Sequence, residues 1–458
     1  MSTDVIRDPL QIAGRIERLP LSAFHYRQFL AHEICWIFAS IGLASTTFLL
    51  PSITTEFGFP AKTAGLVGTA SFSGMFIGAG LAGMLGDRFG RKTILKVAIT
   101  LWGLASFLLA WSPNLTVFFT ARIILGFGMG FHFPMTQSML SELMPARTRG
   151  RTICLLEGGW PLSYLLTGCI SYLVLKALGD AAWRQVFFIQ GSTAILSMII
   201  QTHIPESARW YNTMGRADDA DQVVTKIEGR VKQIIGQDQL PTIPEIPMEQ
   251  KSKIGMLASF LELWSPLYRK RTFMVWVLWF TALLGFYGLN TWMSSLLVSK
   301  GFSVVKSSSY LIMIALPSIP GYLTAAYLVE KLGRKPMMVS YLLLAGLGCY
   351  LYGSAETYNG LIATGCFMQF FMFGMWSLLY TYPAEIYPSR ARATGCGFAS
   401  SLGRFGALTG PYLVGVILTS HGPGAVFTLG AISLLIGAGV VAAIGPETMG
   451  RNLEDINK

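Results

Sequence analysis

The sequence predicts an all-α protein of twelve transmembrane helices, arranged as two pseudo-symmetric six-helix bundles. Of its 458 residues, 52% are hydrophobic and 13% are charged, whereas about a quarter of the residues of a soluble domain are charged. Twelve apolar runs approach the ~20 residues that a spanning helix needs. Short polar motifs recur 243 positions apart, as expected of a duplicated unit.

The twelve runs alternate with short polar connections. They cover residues 29–51, 63–85, 94–111, 115–140, 152–175, 185–204, 272–298, 307–329, 337–355, 358–382, 393–418 and 424–445. An even number of crossings puts both termini on one side of the membrane. Lys and Arg collect in every second connection, at Arg88, Arg91 and Lys92, at Arg147, Arg149 and Arg151, at Lys331, Arg334 and Lys335, and at Arg390 and Arg392.

This bias predicts that both termini lie in the cytoplasm and that the runs span the cell's inner membrane. The net charge of +11 follows from that topology, so we expect a lipid bilayer around the protein and no nucleic-acid partner. We also expect the protein to act as a monomer.

The only long polar stretch separates the two bundles. The predicted domains are an N-terminal tail (1–28), a first bundle (29–204), a linker (205–271), a second bundle (272–445) and a C-terminal tail (446–458). Inside the linker, apolar residues at helical spacing predict a surface helix within 215–236. Prolines at positions 241, 244 and 247 predict an extended segment after it, because each proline lacks a backbone donor.

The internal repeat has three parts. Gly83-Met-Leu-Gly-Asp87-Arg88-Phe-Gly90-Arg91-Lys92 follows the second run, and Glu330-Lys331-Leu-Gly333-Arg334-Lys335 follows the eighth. Glu142-x-x-Pro145-x-x-x-Arg149 returns as Glu385-x-x-Pro388-x-x-x-Arg392, and the halves end in Pro205-Glu206-Ser207 and Pro446-Glu447-Thr448. Paired halves of this kind suit a carrier that holds its substrate near the membrane midplane.

Three charges lie deep inside the apolar runs: Arg122, Glu157 and Arg404. A charge at the centre of a membrane costs roughly 2.5–3.5 kcal/mol, so we expect each to face the protein interior. Arg404 either grips a carboxylate through two parallel hydrogen bonds or forms an internal tie. Arg122 either makes a structural pair or takes part in substrate or proton coupling. Glu157 either carries a proton, hydrogen-bonds in its neutral form, or pairs with an arginine.

Other polar and aromatic residues give weaker signals. His32 and Glu33 come one turn into the first run, where we expect them at the membrane interface. His132 is predicted to be a core histidine and not a proton relay. The candidates to line an aromatic-walled cavity are Phe286, Tyr287, Asn290 and Trp292 on the seventh run, and Phe370, Phe373, Trp376 and Tyr380 on the tenth. Of these, Tyr287, Asn290, Trp376 and Tyr380 are predicted to contact a substrate.

Nothing in the sequence indicates a catalytic or metal centre. The six cysteines all lie in apolar runs without a CxxC pair, which indicates small core residues. No nucleotide-binding loop and no nucleophile with a base and an orienting group appears. The sequence therefore predicts neither an enzyme nor a cofactor or metal, and a receptor or enzyme stays a minor alternative.

Together, the motifs resemble those of the major facilitator superfamily over essentially the whole chain. The Gly-x-x-x-Asp-Arg-x-Gly-Arg-Lys loop and its copy, Arg122-x-x-x-Gly126-x-Gly128-x-Gly130, and both Glu-x-x-Pro-x-x-x-Arg signatures carry the resemblance. The segments 18–27 and 205–210, Pro134, and Gly403-Arg404-Phe-Gly406 with Gly410-Pro411 are similar to metabolite and aromatic-acid:proton symporters and niacin-type carriers. Organic-ion and synaptic-vesicle-glycoprotein transporters are related to this group.

The resemblance implies a secondary active transporter that moves a small organic anion, first of all an aromatic or heteroaromatic carboxylate, together with protons. Arg404 and Arg122 would attract the anion. The helix-one acid of aromatic-acid symporters is replaced here by 38–43, Phe-Ala-Ser-Ile-Gly-Leu, so either Glu157 carries the proton instead or transport is uncoupled from protons. The resemblance also implies a cytoplasmic gate formed by Asp87, Arg88, Arg91, Glu142, Arg149, Glu330, Arg334, Glu385 and Arg392.

Two other carriers stay open as alternatives. One is proton-coupled efflux of drugs or amphipathic compounds, although the Gly-Pro-x-x-Gly-Gly signature of drug antiporters is not reproduced by Gly158-Gly159-Trp160-Pro161. The other is facilitated sugar transport, since sugar porters share the Pro-Glu-Ser and Pro-Glu-Thr motifs.

Overall fold

The structure, a computed structural model, describes residues 9–236, 239–243, 256–387 and 389–449. The predicted tails beyond residues 9 and 449, and the part of the proline-rich segment after residue 243, lie outside the described residues. The secondary structure described is almost entirely helical.

Among the described residues, eight α-helices precede the linker, three lie within it and six follow it. The first group is α1 (Pro9–Glu17), α2 (Ala23–Phe57), α3 (Ala61–Phe89), α4 (Arg91–Ala110), α5 (Leu115–Leu143), α6 (Ala146–Glu157), α7 (Gly159–Leu178) and α8 (Trp183–Thr202). The linker contains α9 (Ala208–Thr213), α10 (Ala217–Ile235) and α11 (Met256–Leu263). The last group is α12 (Arg269–Ser299), α13 (Val304–Ala315), α14 (Ser318–Leu332), α15 (Arg334–Ser354), α16 (Tyr358–Ile386) and α17 (Ser389–Ile444).

The helices make the twelve predicted crossings, with local breaks. Among the described residues, 10 stretches are long and apolar enough to span a membrane. Two of them are interrupted helices, α6 with α7 and α13 with α14. A third, in α17, contains the last two predicted spans, because the backbone turns at Gly422 with φ 77°. The 20-residue helix α8 supplies the remaining crossing.

Local signals explain where individual helices begin and end. The side chain of Asn114 accepts the backbone N–H of Val117 at 3.0 Å and so caps the start of α5. Gly58 ends α2 in the left-handed conformation, at φ 64°, which glycine adopts without a steric cost. Helix α2 begins at Ala23, six residues before the predicted span, with Ser22 as its N-cap.

Two ends of the bundle are distinguished by the linker. We call the end that carries the Gly90 and Gly333 turns the linker face, because the linker residue Trp210 donates its indole N–H to the backbone oxygen of Asp87 at 2.7 Å. The opposite end, which carries the Gly58 turn, is the distal face. Helix α10 packs on the linker face, with Val224 and Val231 fully buried.

The two halves touch near the distal face and separate toward the linker face. On α3, a Cβ atom added to Gly65 would stand 2.6 Å from the backbone oxygen of Pro411 on α17. Farther along these helices, a Cβ on Gly80 or Gly397 would meet no atom within 4 Å. The divergence leaves a crevice of about 720 Å³ between α3 and α17.

Candidate functional site

A central cavity of about 140 Å³ lies between the two halves. Five predicted site residues line it: Glu157, Tyr287, Trp376, Tyr380 and Arg404. The sequence analysis missed several other lining residues, among them Trp36, Phe133, Gln137, Trp160 and Trp279. Their aromatic or amide character gives no signal by itself, because most such residues in a spanning helix are packing residues.

Arg404 is the cation of this cavity. It projects from α17, where a Cβ on Gly403 would contact Trp279 at 2.9 Å and one on Gly406 would collide with the backbone oxygen of Phe280 at 2.3 Å. These glycines allow α17 to pack closely against α12. The Arg404 side chain has no hydrogen-bond or ion-pair partner within the described ranges, and it also lines the crevice between α3 and α17.

Glu157 is the buried acid of the cavity. It is the last residue of α6, with 4% of its surface exposed, and it accepts a hydrogen bond from the side-chain amide of Gln137. The helix breaks immediately after it, at Gly158, before α7 begins. At this break the carboxyl group of Glu157 lines the cavity. The amide of Gln137 donates a hydrogen bond to one of its two oxygens.

Aromatic rings form the walls of the cavity in both halves. In the first half, the rings of Trp36 and Phe133 are 4.5 Å apart, and those of Phe133 and Trp160 are 5.5 Å apart. In the second half, Trp376 and Tyr380 stack at 6.0 Å with an interplanar angle of 27°. Such walls favour flat aromatic ligands, because offset or edge contacts between rings stabilise them beyond the area they bury.

Arg122 and Asn290 lie outside the central cavity, contrary to their predicted grouping with Arg404. Both line a smaller cavity of about 30 Å³ toward the distal face. The rings of Phe72 and Tyr287, 4.5 Å apart, line both cavities and lie between them. In this conformation Arg122 therefore lines a different cavity from the one that Arg404 lines.

The polar atoms of these two residues are engaged within the protein. Arg122, only 1% exposed, donates to the backbone oxygen of Gly42 at 3.1 Å and to the hydroxyl of Thr46. Asn290 donates to the backbone oxygen of Phe286 at 3.0 Å and accepts from Gln369 at 2.9 Å. In this conformation both side chains make structural ties.

Glu33 and His32 are buried, so the predicted interfacial position is wrong. Their exposed fractions are 7% and 0%, because α2 starts earlier than predicted and places Glu33 roughly 15 Å from the helix start. Glu33 packs against Gly159, the first residue of α7. His132 is fully buried beside Trp102, with ring centroids 6.3 Å apart, which agrees with a core histidine.

The predicted gate residues lie on the linker face and form two similar clusters. In the first half, Arg91 contacts Asp87 at 2.9 Å and Glu142 at 3.4 Å, and Ser207 donates to Glu142. In the second half, Arg334 contacts Glu385 at 3.0 Å and Thr448 donates to the same carboxylate at 2.5 Å. The repeat motifs thus meet in three dimensions, each cluster within its own half.

The remaining gate residues are placed less symmetrically. The Asp87 side chain is 74% exposed and, in the described structure, pairs only with Arg91, the first residue of α4. Arg88 lies over the Phe89 ring, 5.2 Å from its centre, and Glu330 is exposed. Arg149 pairs with Glu17 of α1 at 2.6 Å. The side chain of Arg392 lies outside the described part of the chain.

Two capping carboxylates were not predicted to have this role. Glu206 accepts the backbone N–H of Lys92 at 3.0 Å, and Glu447 accepts that of Arg334 at 3.0 Å. Each carboxylate therefore caps the helix that begins one residue after a glycine of positive φ, Gly90 at 97° or Gly333 at 99°. The repeated Pro-Glu-Ser and Pro-Glu-Thr motifs could have indicated this capping role, since acidic groups are favoured at helix N-termini.

No group of three metal-binding side chains occurs among the residues that the structure describes. The site is thus built from one guanidinium, buried carboxyl groups and aromatic rings. These groups can bind an organic anion and hold a proton.

Comparisons with known proteins agree on a family of transporters. Residues 35–458 match the family model described as "Sugar (and other) transporter". The niacin transporter NiaP of Acinetobacter baylyi is 36% identical over 448 residues, which cover 98% of this chain and 100% of that protein. The 4-hydroxybenzoate transporter PcaK of the same organism is 27% identical over 444 residues, with coverage of 96% and 94%.

A solved structure shows the same fold. The partially occluded, inward-open xylose transporter XylE of E. coli superposes with a TM-score of 0.76 at 19% identity, covering 94% of this chain and 100% of that one. A family model matches nearly the whole chain, and the described helices are long and apolar enough to cross a membrane. The protein is therefore a multi-pass membrane transporter of the sugar (and other) transporter family.

Proposed function

We propose that the protein is a secondary active transporter that carries a small aromatic carboxylate by alternating access, in symport with protons. The observation that carries this proposal is the central cavity, where the unpaired guanidinium of Arg404 and the buried carboxyl of Glu157 share a space walled by aromatic rings. We expect the protein to transport its substrate without chemical change.

A flat carboxylate matches each part of the cavity. The half-buried guanidinium of Arg404 can bind a carboxylate through two parallel hydrogen bonds, which would give this charge a partner. Trp376 and Tyr380 stack on each other, and the ring of Tyr287 lies 5.9 Å from that of Trp376. These three rings would contact the aromatic ring of the substrate. Two relatives are named for niacin and 4-hydroxybenzoate, and both compounds are aromatic carboxylic acids.

Two buried carboxyl groups support proton symport. Glu157 and Glu33 lie next to the break between α6 and α7, one at the end of α6 and the other against the first residue of α7. Neighbouring carboxyl groups in a dry environment cannot both be ionised without a large cost. We propose that this pair holds a proton in the substrate-bound state and releases it when the cavity opens to the cytoplasm.

The geometry supports an inward-facing step of the cycle. Arg404 lines both the central cavity and the crevice that opens toward the linker face, while the halves touch near the distal face. We propose that the linker face is cytoplasmic, that both termini lie there, and that the protein works as a monomer in the inner membrane. The bundles 29–204 and 272–445 would rock against each other as rigid units, and the clusters of Arg91 and Arg334 would hold the helix ends together within each bundle.

Uptake by proteoliposomes tests the proposal. We expect purified protein to accumulate nicotinate, benzoate or 4-hydroxybenzoate when the outside is acidic, and Arg404→Ala to reduce uptake at least about tenfold, since a charged hydrogen bond contributes about 1.5–3 kcal/mol. Arg404→Lys should be intermediate, because lysine lacks the planar fork. Lys176→Ala near the distal face serves as the control. Unchanged uptake by Arg404→Ala would contradict the proposal.

The same vesicles separate the alternatives. Uptake of a sugar in place of aromatic acids would favour a facilitated sugar carrier, and expulsion of an amphipathic cation would favour drug efflux. We expect neither, because the cavity offers one cation and mostly aromatic surface instead of the many polar groups that bind a sugar.

A further inference from the structure

The surface helix α10 has two chemically different faces. On one face, Asp221 and Glu228 bind Arg15 of α1 at 2.6 and 2.7 Å. On the other, Lys226 and Arg230 are exposed, lie four residues apart and therefore on one side of the helix, and line grooves between α10 and the first bundle. The acidic face is already neutralised by α1, whereas the basic face is not.

Two grooves lie beneath the basic face. The first, about 590 Å³, is lined by Lys92 and Lys96 of α4 and by Lys226 and Arg230 of α10. The second, about 370 Å³, lies between Arg27 of α2 and Arg230. Both grooves also include His203 and Ile204, which follow the end of α8. Arg230 is therefore shared by two adjoining grooves.

The positive charge in these grooves is largely uncompensated. The side chains of Arg27, Lys96, Lys226 and Arg230 have no hydrogen-bond or ion-pair partner in the parts of the chain that the structure describes. The acidic lining residue, Glu206, is occupied as the N-terminal cap of α4. Five cations thus line the two grooves, and Lys92 is the one that already donates to backbone oxygens. The lining carboxylate is committed elsewhere, a pattern that favours an anionic ligand.

The grooves open onto the apolar outer surface of the transmembrane helices. On α8, Ile195 and Ile199 are more than half exposed, and Ile199 is four residues, or about 6 Å, from His203. On α4, the exposed Val97 follows Lys96 directly. Cationic grooves that continue into an exposed apolar surface have the charge and the shape of a lipid headgroup with its acyl chains.

We propose that these two grooves bind the phosphate-bearing headgroup of an anionic phospholipid, with its acyl chains along α4 and α8. The phosphate would lie among Lys96, Lys226 and Arg230, and Arg27 would extend the site into the second groove. Such a lipid would tie α10, and through it the linker, to the first bundle. The site is separate from the substrate cavity, so the proposal stands or fails independently of the transported substrate.

Native mass spectrometry of the full-length protein in detergent tests the site. We expect phosphatidylglycerol to bind more tightly than phosphatidylcholine with the same acyl chains. In K96Q/K226Q/R230Q, phosphatidylglycerol should bind about 100-fold more weakly, from the usual contribution of three basic residues near a lipid surface. The matched control K232Q/K270Q/K331Q removes three cations that lie outside the two grooves at the same end of the protein, and it should bind like wild type.

Two outcomes would overturn the proposal. Wild-type affinity in K96Q/K226Q/R230Q, or equal loss in both triple variants, would show that no specific lipid site exists here. Displacement of the lipid by millimolar inorganic phosphate or glycerol phosphate would show that the grooves bind a soluble anion instead. If the triple variant does not fold, R230Q alone is measured, and we expect about fivefold weaker binding of phosphatidylglycerol.

Discussion

The carboxyl group of Glu33 lies directly against the backbone of Gly159: a Cβ atom added to that glycine would stand 2.6 Å from Oε1 of Glu33. Gly159 begins α7 immediately after the break that follows Glu157. The absence of a side chain at position 159 therefore lets a carboxyl from α2 approach the end of α6. This approach brings together the two acids that we propose to hold a proton.

The first prediction concerns this contact. Gly159→Ala should force Glu33 away from the break and lower uptake driven by a proton gradient by about tenfold, equivalent to about 1.4 kcal/mol. Glu33→Gln should have at least the same effect. Exchange of labelled for unlabelled substrate across the membrane, which needs no net proton movement, should stay near wild type in both variants.

The control for this prediction is Gly439→Ala, because a Cβ there would meet nothing within 4 Å. It should leave both assays unchanged. If Gly159→Ala reduces exchange as strongly as gradient-driven uptake, the contact serves packing or substrate binding and not proton coupling. The two assays thus separate a failure of coupling from a failure of transport itself.

The second prediction concerns the structural tie of Arg122. Thr46→Val removes the hydroxyl that accepts from Arg122 and leaves part of a buried guanidinium without a partner. Because a hydrogen bond to a charged group contributes about 1.5–3 kcal/mol, we expect the free energy of unfolding to fall by about 2 kcal/mol. Substrate affinity should change little, since Arg122 lies outside the central cavity.

Thermal unfolding and substrate binding in detergent check this prediction together. Thr100→Val is the matched control, because Thr100 is exposed and its hydroxyl bonds only to the backbone oxygen of Lys96 in the described structure. Lost binding with unchanged stability in Thr46→Val would mean that Arg122 acts on the substrate and not as a tie.

Much of the fold could be predicted because its signals are local or repeated. Charges are rare in apolar runs, so Arg404 and Glu157 stand out, and both line the central cavity. The offset of 243 residues paired the motifs that contain Arg91 and Arg334, and the structure places each beside a carboxylate of its own half. These features need no knowledge of how the helices are rotated.

The remaining features depend on where helices start and how they turn toward each other. The first turns of α2 are polar, so hydropathy does not identify them as part of the helix. The burial of Glu33 therefore could not be predicted from the sequence. Arg122 and Arg404 were grouped because both are deep charges. The contact between Phe72 and Tyr287 separates the cavity of Arg122 from that of Arg404. This contact joins residues far apart in the chain, so the sequence does not reveal it.

The third prediction concerns the cap of α15. Glu447 accepts backbone N–H groups of Arg334, Lys335, Thr448 and Met449 at 2.8 to 3.1 Å. Glu447→Ala should lower the free energy of unfolding by about 1–2 kcal/mol, as loss of an N-terminal cap typically does. Chemical denaturation of the purified protein measures the change, with Glu330→Ala, an exposed acid in the last turn of α14, as the control.

The pKa of Glu447 gives this prediction a pH dependence. Burial raises the pKa, but the hydrogen bonds from four backbone N–H groups outweigh it, so the pKa lies below its ordinary value of 4.5. A lowered pKa means that the carboxylate stabilises the fold above pH 4.5 and that this contribution is lost as the pH falls through the lowered pKa. Wild type should therefore lose more stability than Glu447→Ala below pH 4.5; equal losses would contradict the capping role.

The last prediction concerns the attachment of α1 to α10. Glu228 accepts from Arg15 and Arg18 at 2.7 Å. Burial raises the pKa of Glu228, yet these two arginines lower it further than burial raises it, so the net shift is downward from 4.5. The pKa of Arg15 is raised, chiefly by its hydrogen bond to Glu228. The attachment should thus hold above pH 4.5 and weaken as the pH falls through the lowered pKa of Glu228.

Glu228→Gln should weaken the attachment of α1 already at pH 7. Loss of about 1 kcal/mol of ion-pair energy should raise the fraction of detached α1, and therefore the rate of tryptic cleavage at Arg15 and Arg18, about fivefold. Asp219→Asn is the matched control, since Asp219 pairs with Arg216, the N-cap residue of the same helix, and its cleavage rate should equal that of wild type.

An unchanged rate in Glu228→Gln would mean that the apolar contacts of Ile12 and Ile16 with Ala220 and Val224 hold α1 without the ion pairs. The pH dependence of hydrogen exchange in α1 should then vanish as well.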